Sequence, residues 1–226
     1  MIGAVMIDID AYITHLIELL KVRFGSRLLY VGLQGSYLRG EATEHSDIDI
    51  MVVLDDLRVV DLDDYRTIIQ SMDHYDLSCG FICGKDELSK WNPLEICHLL
   101  NTTKDYYGQL SSYVPKYTEM DIRNFCKMSV NNLYHEICHR YIYASKEKNV
   151  KALPVTYKGV FFILQNLHYL SSGEFVAKKM ELLSRLEGDN HAVLKRSMEL
   201  TDCSAYDFDD SFALFLTWCQ QVMQSL

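Results

Sequence analysis

The sequence predicts an α+β protein: a small α/β unit over residues 1–112, then an all-helical unit over residues 113–226. Three observations carry this expectation. Short runs rich in Ile, Val and Leu alternate with helix-spaced apolar residues in the first part of the chain. Beyond residue 85 the apolar residues recur at helical spacing. Gly108 and Pro115 bracket the boundary.

Each element has its own signal. Ile9, Tyr12, Ile13, Leu16, Leu19 and Leu20 give a helix over 8–23, and Gly25 ends it. Leu28–Leu33 reads as a buried strand, and residues 36–46, polar and containing Gly40, read as a loop. Asp47–Leu54 is a second strand, rich in Ile and Val. A helix over 61–72 and a third strand over 75–83 follow, the latter ended by Gly84. Lys85–Trp91 forms a short helix, and Pro93 opens the next. Helices are then expected near 94–110, 118–146, 156–171, 174–187, 190–200 and 208–225.

Composition excludes several classes. The chain is 49% hydrophobic and 23% charged, too apolar for disorder. It lacks the run of about 18 apolar residues that a membrane span requires. No basic residue precedes Asp8, which argues against a secretory leader. The seven cysteines include no Cys-x-x-Cys pair, as expected of reduced thiols in the cytoplasm. The net charge is -9, and it sits in the first half: residues 1–115 hold 18 acids and 9 bases, residues 116–226 hold 13 of each. No basic excess marks a binder of long nucleic acid. An acidic half suits a divalent metal or a cationic small molecule instead.

The chemistry concentrates in Tyr30–Leu54. A strand runs into Gly35-Ser36, ten residues separate Ser36 from Asp47, and Asp47-Ile48-Asp49 opens the next strand. Carboxylates at i and i+2 on a strand share a face. Two close carboxylates repel, and a divalent cation between them relieves the repulsion. Hard oxygen ligands suit magnesium or manganese. A Gly-Ser turn lets backbone amides and one hydroxyl approach a phosphate.

The stretch GSYLRGEATEHSDIDI resembles the nucleotidyltransferase superfamily of DNA polymerase β, matching it at Gly35, Ser36, Arg39, Gly40, Ser46, Asp47 and Asp49. The resemblance covers roughly residues 25–85 and is closest to small bacterial minimal and aminoglycoside nucleotidyltransferases. It implies a small mixed-sheet core with a C-terminal helical bundle. It further implies that Asp47 and Asp49 hold Mg2+ or Mn2+. Asp76, matched to the family's third carboxylate on a later strand, shares a metal or accepts the hydroxyl proton. Gly35 and Ser36 hold the triphosphate, with Arg39 and Ser46 in the same nucleotide-binding motif. The implied reaction moves a nucleoside monophosphate, AMP from ATP or its equivalent from another triphosphate, to a hydroxyl of a small molecule such as an aminoglycoside. The alternatives are an antitoxin-like adenylyltransferase acting on a partner protein, or a non-catalytic nucleotide-binding module. A homodimer is compatible with either, and no membrane partner is expected.

The helical half offers lesser candidates. Arg140, Lys146, Lys148, Lys151 and Lys158 form its most basic stretch, and Lys158 is a candidate for the triphosphate against the plainer reading of solvated lysines. His135-Glu136-Ile137-Cys138-His139 is a literal H-E-x-x-H. Ile142 and Ser145 stand where the extended zinc motif needs Gly and His, so an ordinary bundle helix is the expected reading. Glu136 is an alternative general base, by resemblance to some aminoglycoside nucleotidyltransferases. Arg185 and His191 resemble the Arg-x4–6-His signature of helical RNases, but Leu186 and the Gly188-Asp189-Asn190 break depart from it.

Overall fold

The computed structural model of the chain describes residues 7–200 and 205–226. It divides into two compact units, Met1–Lys116 and Tyr117–Leu226. The division falls four residues beyond the expected boundary at 112 because Leu110 is buried in the first unit, with Tyr113 and Val114 packed beside it.

In the first unit, helix α1 (Ile9–Phe24) is capped by the Asp8 carboxylate, which accepts from the Ala11 N–H at 3.0 Å. Its apolar stripe, Ile13, Leu16, Leu20 and Phe24, is buried. Then come β1 (Leu28–Leu33), α2 (Gly35–Arg39), β2 (Ile48–Leu54), α3 (Val59–Ser71), β3 (Ser78–Gly84), α4 (Lys85–Ser89), α5 (Pro93–Asn101) and β4 (Lys104–Tyr107). The four strands form one mixed sheet in the order β3-β2-β1-β4. β1 is antiparallel to β2 and to β4, while β2 and β3 are parallel. A parallel pair needs a crossover, and α3 supplies it.

The strand period of two sorts the β2 side chains. Ile48, Ile50, Val52 and Leu54 enter the cluster that contains the α1 stripe. Met51 and Val53 face the other way, into a cluster with Tyr30 and Leu88. Each such aliphatic burial contributes about 1.5–3 kcal/mol. An ion pair between half-buried Arg27 and buried Asp61 fastens α3. Arg27 donates to both carboxylate oxygens of Asp61, at 2.9 and 2.7 Å, and the Arg58 N–H donates to the same carboxylate at 2.9 Å. Asp61 is 1% exposed.

Three expected elements are corrected. Residues 104–107 are not helical but form the edge strand β4, whose Lys104 and Asp105 pair with Leu33 and Gly32. The third strand begins at Ser78, so Asp76 lies in the 3-10 turn Tyr75–Leu77 rather than on the strand. Residues 35–39, read partly as loop, form the single helical turn α2.

The second unit comprises α6 (Glu119–Tyr143), α7 (Lys146–Ser172), α8 (Lys179–Arg185), α9 (Gly188–Glu199) and α10 (Phe208–Ser225) among the described residues. Thr118 and Asp121 form a reciprocal capping box at the start of α6. Val130, Tyr157, Leu164, Val193, Phe215 and Trp218 share its core. The Trp218 indole N–H donates to Asn190 Oδ1 at 2.8 Å, so the buried ring keeps a polar partner. α7 begins ten residues earlier than the expected 156 and contains Pro154. Proline has no N–H for the carbonyl of Val150. The Tyr206 hydroxyl donates to that oxygen instead, at 2.6 Å. Among the described residues, no helix is long and apolar enough to cross a membrane.

Candidate functional site

The site is built where β1 turns into β2. β1 ends at Leu33, and the Gln34 N–H donates to the backbone oxygen of Asp49 at 2.9 Å. Gly35 follows with φ +69, a conformation that disfavours any side chain. Its Cα also lies against β2: a Cβ built there would stand 1.8 Å from Asp49 Oδ2. Two independent constraints therefore require glycine. Gly35→Ala is expected to destabilise the protein by about 1–2 kcal/mol through backbone strain alone, and to displace the Asp49 carboxylate. Urea unfolding with a binding titration checks this; wild-type stability and binding would contradict it.

α2 is closed by Gly40 in the left-handed region, with the Glu41 N–H donating to the Ser36 carbonyl at 2.9 Å. Arg39, mostly buried, pairs with Glu41 at 2.8 Å. The loop beyond is pinned by Ser46, whose hydroxyl accepts from the Thr43 N–H at 2.8 Å. Asp47 then leads into β2.

Alternation puts Asp49 on the face of Met51 and Val53, opposite the α1 cluster, and Asp47 is two residues before it. Asp47 is exposed and Asp49 half-buried. Burial pushes the Asp49 carboxyl above the usual carboxylate range. A hydrogen bond with Cys79 and the Arg39 charge pull it back, and the Asp47 charge pushes it further up. Two like charges thus stand two residues apart at a half-buried surface. Their hard oxygen donors fit Mg2+ or Mn2+.

Of the residues expected at the site, Gly35 lies against Asp49 and the Arg39 and Asp47 charges act on it, while Ser36 stands on α2 and Ser46 in the loop before β2. Asp76 is exposed in its turn, which Leu77 N–H closes onto the His74 carbonyl at 3.0 Å. Because Ile48 pairs with Ser78 in parallel, Asp76 stands at the same end of the sheet as Asp47. Among the described residues, no three or more His, Cys, Asp or Glu side chains converge to hold a metal.

Two neighbours escaped the sequence reading. Cys79 pairs with Asp49 across β2–β3. His98, on α5, lies within reach of the Arg39 charge; burial first, and then that charge, push its pKa down to about 4. Neither carries a motif. Only the strand register, with β3 starting at Ser78, points to Cys79.

In the second unit, Lys158 is exposed on α7. Glu136 pairs with Arg140 at 2.6 Å and accepts from the Thr156 hydroxyl at 3.2 Å. His135 and His139 are exposed and lie along α6, with ring centroids 5.9 Å apart. Arg185 ends α8, pairs with Glu174 at 3.6 Å, and is separated from His191 by the start of α9.

Residues 14–97 match the family model of the nucleotidyltransferase domain. The protein adenylyltransferase MntA of Thermococcus cleftensis is 39% identical over 62 residues, which is 26% of this chain and 61% of that protein's length. The chain thus spans about three-fifths of that relative. The spectinomycin adenyltransferase of Enterococcus faecialis, solved with ATP and spectinomycin, shares the fold: the TM-score is 0.58 at 12% identity, over 95% of this chain and 98% of that one.

Proposed function

We propose, from the match of residues 14–97 to the nucleotidyltransferase-domain family model, that the chain transfers a nucleoside monophosphate, AMP from ATP, to a hydroxyl of a small molecule such as an aminoglycoside. The observation that carries this reading is the Asp47–Asp49 pair, two residues apart where the loop enters β2, with Gly35 pressed against Asp49 Oδ2. Asp47 and Asp49 would hold the divalent cation. The cation, when bound, offsets charge on the transferring phosphoryl group and on the leaving pyrophosphate.

The chain's own groups do the rest. The Gly35–Ser36 turn offers backbone amides and one hydroxyl to the triphosphate. Arg39 adds positive charge beside Asp49. Asp76, exposed at the same end of the sheet, accepts the proton of the attacking hydroxyl. The hydroxyl oxygen bonds to the α-phosphorus, the bond to the bridging oxygen breaks, and pyrophosphate leaves. The acidic balance of residues 1–115 favours a cationic acceptor.

The test is incubation with α-labelled ATP, Mg2+ and spectinomycin or a related aminoglycoside. Label is expected on the small molecule, and none with Asp47→Asn/Asp49→Asn. A second reading, AMP transfer to a Tyr or Ser of a partner protein, is favoured by the 39% identity to a protein adenylyltransferase. Label on protein in place of drug selects it, and label on neither overturns both.

A further inference from the structure

We propose that Cys79 is a positioning residue for Asp49: its thiol holds that carboxylate in the orientation that takes a divalent cation beside Asp47. This rests on the nucleotidyl reading of the Asp47–Asp49 pair. The residue enters through geometry. Asp49 and Cys79 are direct partners in the parallel β2–β3 ladder. Neighbouring strands run about 4.8 Å apart, so paired side chains stand side by side on one face. The thiol is thereby placed to donate to the carboxylate when Asp49 is ionised.

The residue after Cys79 must be glycine. Gly80 has φ +110, and a Cβ added there would meet the Ile50 carbonyl oxygen at 2.0 Å. Any other residue would force β3 away from β2 and take Cys79 with it. On its other flank Asp49 meets Gly35, where a Cβ would fall 1.8 Å from Oδ2. The carboxylate therefore lies between a backbone on one side and a thiol on the other. A thiol suits this place because it donates without adding the third negative charge that an acid would bring. Among the described cysteines Cys79 is the exposed one; Cys83, Cys97, Cys126 and Cys219 are buried and Cys138 is half-buried. Core packing does not explain it.

The probe is Mn2+ alone, read by loss of the free-ion electron paramagnetic resonance signal on titration into the full chain. Cys79→Ser keeps a donor and is expected to bind within about twofold of wild type. Cys79→Ala loses it and is expected to bind about five- to tenfold more weakly, the scale of one ordinary intramolecular hydrogen bond, as suits a weak thiol donor. Both variants are expected to melt as wild type does. In an Asp49→Asn background, Cys79→Ala is expected to have no further effect, because the thiol acts through that carboxylate. Wild-type Mn2+ affinity in Cys79→Ala, or a Ser variant as weak as the Ala variant, overturns the positioning role alone if Asp49→Asn has lost binding. Wild-type affinity in Asp49→Asn instead removes the metal reading of the pair, and the role of Cys79 with it.

Discussion

Asp49→Asn is expected to lower nucleotidyl transfer by about 10³-fold or more, the several kcal/mol that a catalytic cation supplies, with no loss of thermal stability. The amide has the shape of the carboxylate but lacks the negative charge that holds a cation beside Asp47. Its effect on stability has a definite sign. The Asp49 carboxyl is raised by burial and by the neighbouring Asp47 charge. Its ionised form is therefore the unfavourable one in the folded chain. Ionisation weakens the wild type once the pH exceeds the unfolded carboxylate value, and the Asn variant escapes this. The variant's Tm is expected to equal or exceed wild type at neutral pH, with the difference vanishing as the pH falls below the ordinary carboxylate range. Transfer from labelled ATP and melting by circular dichroism check both. A fully active variant would remove Asp49 from the site.

The largest effect on stability is expected at Arg27. Replacing it with Met leaves the 1%-exposed Asp61 carboxylate without its paired guanidinium, at a cost on the order of 3 kcal/mol. In the wild type the Arg27 hydrogen bonds, aided by the Arg58 N–H, hold the Asp61 pKa down to about 2, against 3.8 for a free side chain. A depressed carboxyl stabilises the fold fully above the unfolded value and loses that contribution as the pH falls through the folded one. The gap between wild type and Arg27→Met is thus expected to be widest at neutral pH and to narrow between about pH 4 and pH 2. Urea unfolding across that range measures it. A gap that stays constant with pH would show that the pair contributes packing alone.

Sequence patterns carried the site further than the edges of the fold. The Gly35–Asp49 stretch was legible because its chemistry is local: a turn, a loop of fixed length and an alternating strand lie within one continuous segment. β4 was not legible. Lys104–Tyr107 is four residues long, lies at the sheet edge, and owes its conformation to pairing with Val31–Leu33. That partner is distant in sequence, so Tyr106 and Tyr107 read as the continuation of a helix. Asp76 was placed on a strand because Tyr75 and Leu77 alternate around it. The turn from His74, which has φ 59, delays the strand to Ser78, and the register then sets Cys79 against Asp49. α7 starts at Lys146 rather than near 156, and it runs through Pro154, whose orphaned carbonyl acceptor, Val150, has a partner in Tyr206.

That partner makes the order of mutational change matter. While Pro154 is present, loss of the Tyr206 hydroxyl strands the Val150 oxygen. Once residue 154 has an N–H, the same oxygen is served from within the helix, and Tyr206 becomes dispensable for it. Exchanging residue 154 first opens a path on which residue 206 can drift. Exchanging residue 206 first does not. The two sites lie on different elements, yet the tolerance of one is decided by the history of the other.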